Sequence, residues 1–134
     1  MVHKFKIRVR YSETDQMGRV YHGAYASYLE VARVEMLRSL GWCYREMEAQ
    51  GLILPVRDLK VQFLKPVIYD QEIELRTTAK VKSPFRLAFE YDILVDHEIV
   101  TKAQVELVGV NRDSQSISRL PDQLILDLGG IEND

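Results

Sequence analysis

The chain has 134 residues, 46% apolar and 28% charged, which is the size of one domain, residues 1–134, with a core that needs no staples. Eighteen basic and 20 acidic residues nearly cancel, so no overall positive field draws the chain to nucleic acid. No apolar run approaches the length of a membrane span, no signal-peptide block stands at the start, and Cys43 is the only cysteine, so a soluble, cytoplasmic protein without an internal disulfide is expected.

Residues 3–11 alternate strictly. Phe5, Ile7, Val9 and Tyr11 share one side, and Lys4, Lys6, Arg8 and Arg10 share the other. Period 2 with one wet face predicts a half-exposed strand. The four cations read as a solvated face or a blunted sheet edge rather than a phosphate stripe. Residues 12–23 break the pattern in a polar loop punctuated by Gly18 and Gly23.

Residues 24–40 then read as a helix. Tyr25, Tyr28, Leu29, Ala32, Met36 and Leu40 keep helical spacing, and Val31, Val34 and Leu37 add apolar surface on other faces. Such a helix is covered on more than one side. Glu30/Arg33 and Glu35/Arg38 stand three apart and can pair on what surface is left. Gly41 stops the helix. Cys43 reads as a small buried hydrophobe, and 44–53 as a short helical or irregular segment.

After Pro55 the sequence turns to strands. Leu59, Val61 and Phe63 alternate with polar residues until Lys65 and Pro66 end the run. Three longer alternating stretches follow, from 72 to 82, 85 to 95 and 99 to about 111. Short turns at Ser83-Pro84 and Asp96-His97 join them into an antiparallel meander. Residues 121–128 form a weak terminal helix between Pro121 and Gly129. The meander's apolar face must be covered, and the 24–40 helix is the one long element available to cover it. The expected fold is therefore α+β, a curved antiparallel sheet of about five strands wrapped around one long central helix.

The chemistry-bearing stretch is 11–25. Asp15 sits in a loop shortly before a helix N-terminus, whose unpaired N–H groups carry partial positive charge and can polarise a carbonyl. A carboxylate set against such amides has the two elements of acyl transfer: attack or water activation on one side, and stabilisation of the tetrahedral intermediate on the other. His22 and Gly23 occupy the first amide positions, and Gly23 lets a ligand approach the backbone closely. On spacing alone, an aspartate before a helix is more often a cap or an Asx turn, and a lone histidine more often structural. The chain has no Gly-x-Ser-x-Gly elbow and no Gly-rich phosphate loop, and His3, His22 and His97 lack metal-ligand spacing.

The run Tyr11, Asp15, Gly18, Val20-Tyr21-His22, Tyr25, then Glu30, Ala32, Arg33 and Glu35 resembles the hotdog-fold acyl-CoA thioesterases of the 4-hydroxybenzoyl-CoA thioesterase type. Its nearest likeness is the bacterial branch that accompanies the Tol-Pal genes. The resemblance continues to about residue 112, with Pro66, Ala103 and Val105 in matching places. It implies hydrolysis of an acyl-CoA thioester to free acid and coenzyme A, with no cofactor beyond the coenzyme A of the substrate. It implies Asp15 as nucleophile or general base, His22 as the oxyanion-binding amide with an imidazole that helps to orient the site, and Tyr11, Tyr21 and Tyr25 near the acyl pocket. It further implies a homo-dimer or homo-tetramer with shared sites. Gln16, Met17, Arg19 and the Gly23-Ala24 pair depart from the usual pattern and bear on substrate preference. Arg57, Lys60, Lys82 and Arg86, near strand ends, are candidates for the coenzyme A phosphates. The competing readings are a hotdog hydratase or dehydratase, using Asp15 and His22 over the acyl α and β carbons, and a non-catalytic acyl-binding module.

Overall fold

The computed structural model describes residues 1–132, so residues 133 and 134 of the expected domain lie outside the described residues. The elements in chain order are β1 (His3–Arg8), a 3-10 turn (Tyr11–Glu13), α1 (Ala24–Ser39), α2 (Tyr44–Ala49), β2 (Leu52–Ile53), β3 (Val56–Phe63), β4 (Glu72–Ser83), β5 (Arg86–Val95), β6 (Glu98–Val108), β7 (Val110–Asn111) and α3 (Asp122–Asp127). Five strands form one antiparallel sheet in the order β1-β4-β5-β6-β3, and β2 pairs with β7 in a small second sheet.

The meander expected from 72 to 111 is the centre of the sheet. Its β5–β6 turn is tight, with Asp96 and His97 both in the left-handed region, as a two-residue hairpin loop requires. Alternation places Ile73, Leu75, Phe89, Tyr91, Ile93, Val105 and Leu107 on one face, all buried. Against that face lies α1, burying Tyr25, Tyr28, Leu29, Ala32, Met36 and Leu37. Each fully buried Leu or Met contributes roughly 2 kcal/mol by removal from water, so this interface carries much of the core. The Tyr91 hydroxyl, in the same layer, donates to the Leu29 carbonyl at 3.1 Å.

Several local expectations are corrected. β1 stops at Arg8, because its partner β4 begins at Glu72 and the ladder ends at the Arg8–Glu72 pair. Tyr11 therefore does not continue the inward face of the strand; it lies 77% exposed in the 3-10 turn. Gly109 divides the last long strand, and Val110–Asn111 leave the main sheet to pair with β2. The 44–53 segment is likewise split between α2 and β2. On α1, Glu35 pairs with Arg38 at 3.4 Å, but Arg33 does not join Glu30 on the surface. It is 8% exposed, with its guanidinium beside the Tyr44 and Tyr91 rings' hydroxyl ends. Cys43 is partly exposed at the start of α2 rather than buried.

Candidate functional site

The polar loop between β1 and α1 is a small hairpin. Thr14 and Val20 form an isolated bridge, the Asp15 amide donates to the Arg19 carbonyl at 2.8 Å, and the Gly18 amide donates to the Asp15 carbonyl at 3.0 Å. Gly18 has φ +76°, a backbone region that costs a side-chain-bearing residue energy. Asp15 Oδ1 accepts from the Met17 amide at 2.9 Å and the Arg19 amide at 3.3 Å. The Asx-turn reading of the sequence is thus present in Oδ1, while Oδ2 accepts no hydrogen bond among the described residues. The carboxylate is exposed at the loop tip with one oxygen free.

The start of α1 faces the same region. The Ala24 amide donates to the Tyr21 carbonyl at 2.9 Å and the Tyr25 amide to the His22 carbonyl at 3.3 Å. The amides of His22 and Gly23 donate to no acceptor among the described residues, and Gly23, the N-cap, has no side chain to cap the helix. Gly23 has an ordinary helical φ of −66°. A Cβ there would lie 2.4 Å from Cε1 and 2.6 Å from Cζ of Tyr21, so a side chain at this position would displace the half-exposed Tyr21 ring.

Asp15 and His22 line one cleft of about 310 Å³, together with Arg19, Val20, Tyr25 and the Phe63–Pro66 segment that ends β3. Tyr25 and Phe63 meet edge to face with ring centroids 5.0 Å apart, and Tyr25 is 3% exposed while Phe63 is 52% exposed. Burial pushes the Tyr25 phenol up, with the Thr101 hydroxyl partly offsetting it. The cleft thus has an apolar wall, a free carboxylate oxygen and a helix start, with Arg19 and Lys65 as its cations.

Of the expected acyl-pocket residues, Tyr25 lines this cleft. Tyr21 lies against His22 with ring centroids 4.6 Å apart and planes tilted by 53°, and Tyr11 packs edge to face on Tyr69 at 5.5 Å, outside the cleft wall. The proposed phosphate cations are not brought to the cleft. Arg57 and Arg86 both pair with Glu106, at 3.5 Å and 3.2 Å, and Lys82 pairs with Glu132 at 2.7 Å. Lys60 lies on the sheet beside Gln62, Glu90 and Gln104. The cations nearest the acid are Arg19 and Lys65, which sequence reasoning passed over as phosphate ligands; Lys65 also pairs with Glu98. Alternation alone gives Phe63 as an apolar strand position and Pro66 as the strand's end, and it assigns neither of them, nor Leu64, to the cleft.

One carboxylate beneath this loop is deeply engaged. Glu13 Oε1 accepts from the Arg10 amide at 2.8 Å and the Tyr28 hydroxyl at 2.9 Å, and Oε2 accepts from Arg10 Nε at 3.2 Å and Nη2 at 3.0 Å. Burial alone would raise its pKa, but these donors and the Arg10 charge together hold it below the usual glutamate range. The same contact and burial push the Tyr28 phenol well up.

A family model described as the thioesterase-like superfamily matches residues 9–127. The Bacillus subtilis protein YneP, named as a candidate acyl-CoA thioesterase, is 35% identical over 114 residues, covering 84% of this chain and 83% of its own length. The acyl-CoA thioester hydrolase YbgC of Escherichia coli O157:H7 is 28% identical over 123 residues, 91% of this chain and 92% of that one. Among solved structures, a DHNA-CoA thioesterase from Staphylococcus aureus superposes with a TM-score of 0.87 at 36% identity, covering 94% of this chain and 85% of that one. The hypothetical protein TT1821 of Thermus thermophilus gives 0.90 at 31% identity, with both chains fully covered. With the wrapped helix, the antiparallel sheet and the loop–helix cleft in place, the chain belongs to the thioesterase-like superfamily, thioester hydrolases with the hotdog fold.

Proposed function

We propose that the chain hydrolyses an acyl-CoA thioester, with Asp15 as the reacting acid and the His22 and Gly23 amides as the oxyanion site. The observation that carries this reading is the single cleft holding a free Asp15 oxygen and the start of α1 against an apolar wall. A thioester suits such a site. Its thiolate leaves readily, so no general acid is needed to protonate it, and a carboxylate suffices without a histidine relay.

Two routes fit the same groups. In one, Asp15 Oδ2 attacks the carbonyl carbon, the C–S bond breaks to release the thiolate, and water then cleaves the resulting mixed anhydride. In the other, Asp15 takes a proton from water while the water oxygen bonds to the carbonyl carbon, and the C–S bond breaks as the intermediate collapses. In both, the carbonyl oxygen becomes negative and is held by the two amides. The His22 imidazole stands beside the oxygen site and orients the bound group. The acyl chain lies along Tyr25, Phe63 and Leu64, with no cofactor beyond the coenzyme A that leaves.

The same reading assigns a homodimer. β3 is an edge strand whose Val56, Leu59 and Phe63 are exposed. An open apolar edge is a template for a second copy, and Phe63 makes that edge part of the cleft wall. Light scattering at micromolar concentration is expected to give at least a dimer, and Leu59→Lys is expected to shift it to monomer; a wild-type monomer contradicts the assignment. No helix among the described residues is long and apolar enough to cross a membrane, and the proposed place of action is the cytoplasm, where acyl-CoA is made.

The deciding experiment is thiol release from a panel of aryl, short-chain and long-chain acyl-CoA thioesters. Turnover of at least one class, with free acid as the other product, is expected. Water addition to an enoyl-CoA without thiol release would replace hydrolysis by hydration, and binding without either would leave an acyl-binding module.

A further inference from the structure

We infer that Glu13 is a positioning residue for the reaction, holding the Asp15 loop and the oxyanion amides in register with each other; the inference rests on the function proposed above. Glu13 touches three segments at once. Its carboxylate is anchored to the entry of the loop through the Arg10 amide and guanidinium. It is anchored to the central helix through the hydroxyl of Tyr28, which is 2% exposed. Its own carbonyl accepts from the Tyr21 amide at 2.9 Å. Asp15 is two residues downstream of it, and the His22 and Gly23 amides follow Tyr21 directly. Both arms of the reacting constellation therefore hang from one residue, whose backbone carbonyl holds Tyr21 and whose carboxylate is tied to the central helix.

This arrangement answers a mechanical problem. Asp15 is held by backbone bonds confined to its own hairpin, 15–19, and that hairpin alone cannot fix the acid relative to α1. The Thr14–Val20 bridge closes the hairpin, and the Val20 amide to the Val67 carbonyl at 2.7 Å and the Tyr69 amide to the Gly18 carbonyl at 3.3 Å tie it to the 67–69 segment, but none of these bonds reaches α1. Glu13 supplies the side-chain tie to α1. Its carboxylate spans two partners, so its length matters as well as its charge. A displacement of about 1 Å between reacting groups can cost on the order of 100-fold in rate, while the loop, mostly exposed, loses little folding free energy when it shifts.

The test uses the purified full chain and the acyl-CoA that the wild type hydrolyses fastest. Glu13→Gln and Glu13→Asp are each expected to lower kcat by roughly tenfold or more with KM within about twofold. The shortened acid should fail to rescue, because one methylene fewer cannot bridge Arg10 and Tyr28. Tyr28→Phe removes one tie and should cost roughly threefold to tenfold; it also carries the test if the Glu13 variants do not fold. In an Asp15→Asn background the Glu13→Gln effect should shrink to under about threefold, since groups acting as a unit are not additive. Unchanged kcat in Glu13→Gln, full rescue by Glu13→Asp, or an undiminished loss in the Asp15→Asn background would overturn the inference. None of those outcomes touches the proposed activity, which fails only if the wild type releases no thiol.

Discussion

Replacing Asp15 by Asn separates chemistry from folding at the proposed acid. The amide oxygen of Asn can still accept from the Met17 and Arg19 amides, which Asp15 Oδ1 holds at 2.9 Å and 3.3 Å. The hairpin therefore keeps its shape, and the stability cost is expected to stay under about 1 kcal/mol. What is lost is the charge on the second oxygen, to which the proposed mechanism assigns attack on carbon or removal of a proton from water. Loss of such a group costs roughly 10²–10⁴ in turnover, or about 2.7–5.4 kcal/mol of transition-state stabilisation. Asp15→Ala should lose turnover similarly but also drop both loop bonds, at about 1–3 kcal/mol of stability. Thiol-release kinetics beside denaturant melts distinguish the two variants. If Asp15→Asn kept turnover within threefold of wild type while folding normally, the acid would lie elsewhere and the mechanism would be wrong.

Three further outcomes follow from the geometry. Gly23→Ala would place a methyl 2.4 Å from the Tyr21 ring; Tyr21 is half exposed and can swing away, so the melt should barely move while KM rises, and an unchanged KM would show that the ring does not border the substrate path. Thr77 is fully buried with a hydroxyl that has no hydrogen-bond partner among the described residues, so Thr77→Val should raise stability by about 1–2 kcal/mol in a denaturant melt, and a loss would mean that the hydroxyl is satisfied. Glu13 binds its proton more weakly folded than unfolded, although burial opposes this, because its Arg10 and Tyr28 donors favour the charged form. Its stabilising contribution is therefore complete above the ordinary glutamate value of about 4.3 and is lost as pH falls through the lower folded value. The stability gap between wild type and Glu13→Gln should narrow between about pH 6 and pH 3; a gap independent of pH would contradict the linkage.

The large elements were legible because they are periodic. The 24–40 spacing and the three alternating runs each repeat enough times to declare a buried face, and the short turns between the runs leave antiparallel pairing as the simple solution. The acid and the helix start were legible because they lie in one continuous stretch. What escaped the sequence is long-range. Phe63, Leu64 and Pro66 complete the cleft from about forty residues away, and nothing local in them distinguishes a pocket wall from a strand end. Arg33 was read as a surface partner of Glu30 from charge spacing alone, yet the rotation of α1 puts it inside, beside Tyr44 and Tyr91. Tyr11 kept the alternation of β1 on paper, but a strand lasts only as long as its partner, and β4 starts too late to pair with it. The surroundings of the phosphate candidates were hidden for the same reason: near strand ends, Arg57 and Arg86 find Glu106 across the sheet, a partner visible only once the register is known.

The two edges of the sheet differ in a way that joins the fold to the site. β1 presents Lys4, Lys6 and Arg8 outward, and the last two pair with Glu72 on the neighbouring strand. Stacked cations of this kind oppose pairing with a like edge. β3 carries apolar side chains on the helix side of the sheet, level with the buried Phe89 and Tyr91 rows, yet Leu59 and Phe63 stay exposed while Val61 packs against the core. The uncovered end of that row is Phe63, and Phe63 is also the ring against which Tyr25 packs in the cleft. In the proposed dimer, covering the β3 edge and closing the proposed acyl pocket therefore call on the same side chain. A substitution there is expected to change association and turnover together, whereas one at Lys4 or Lys6 should change neither.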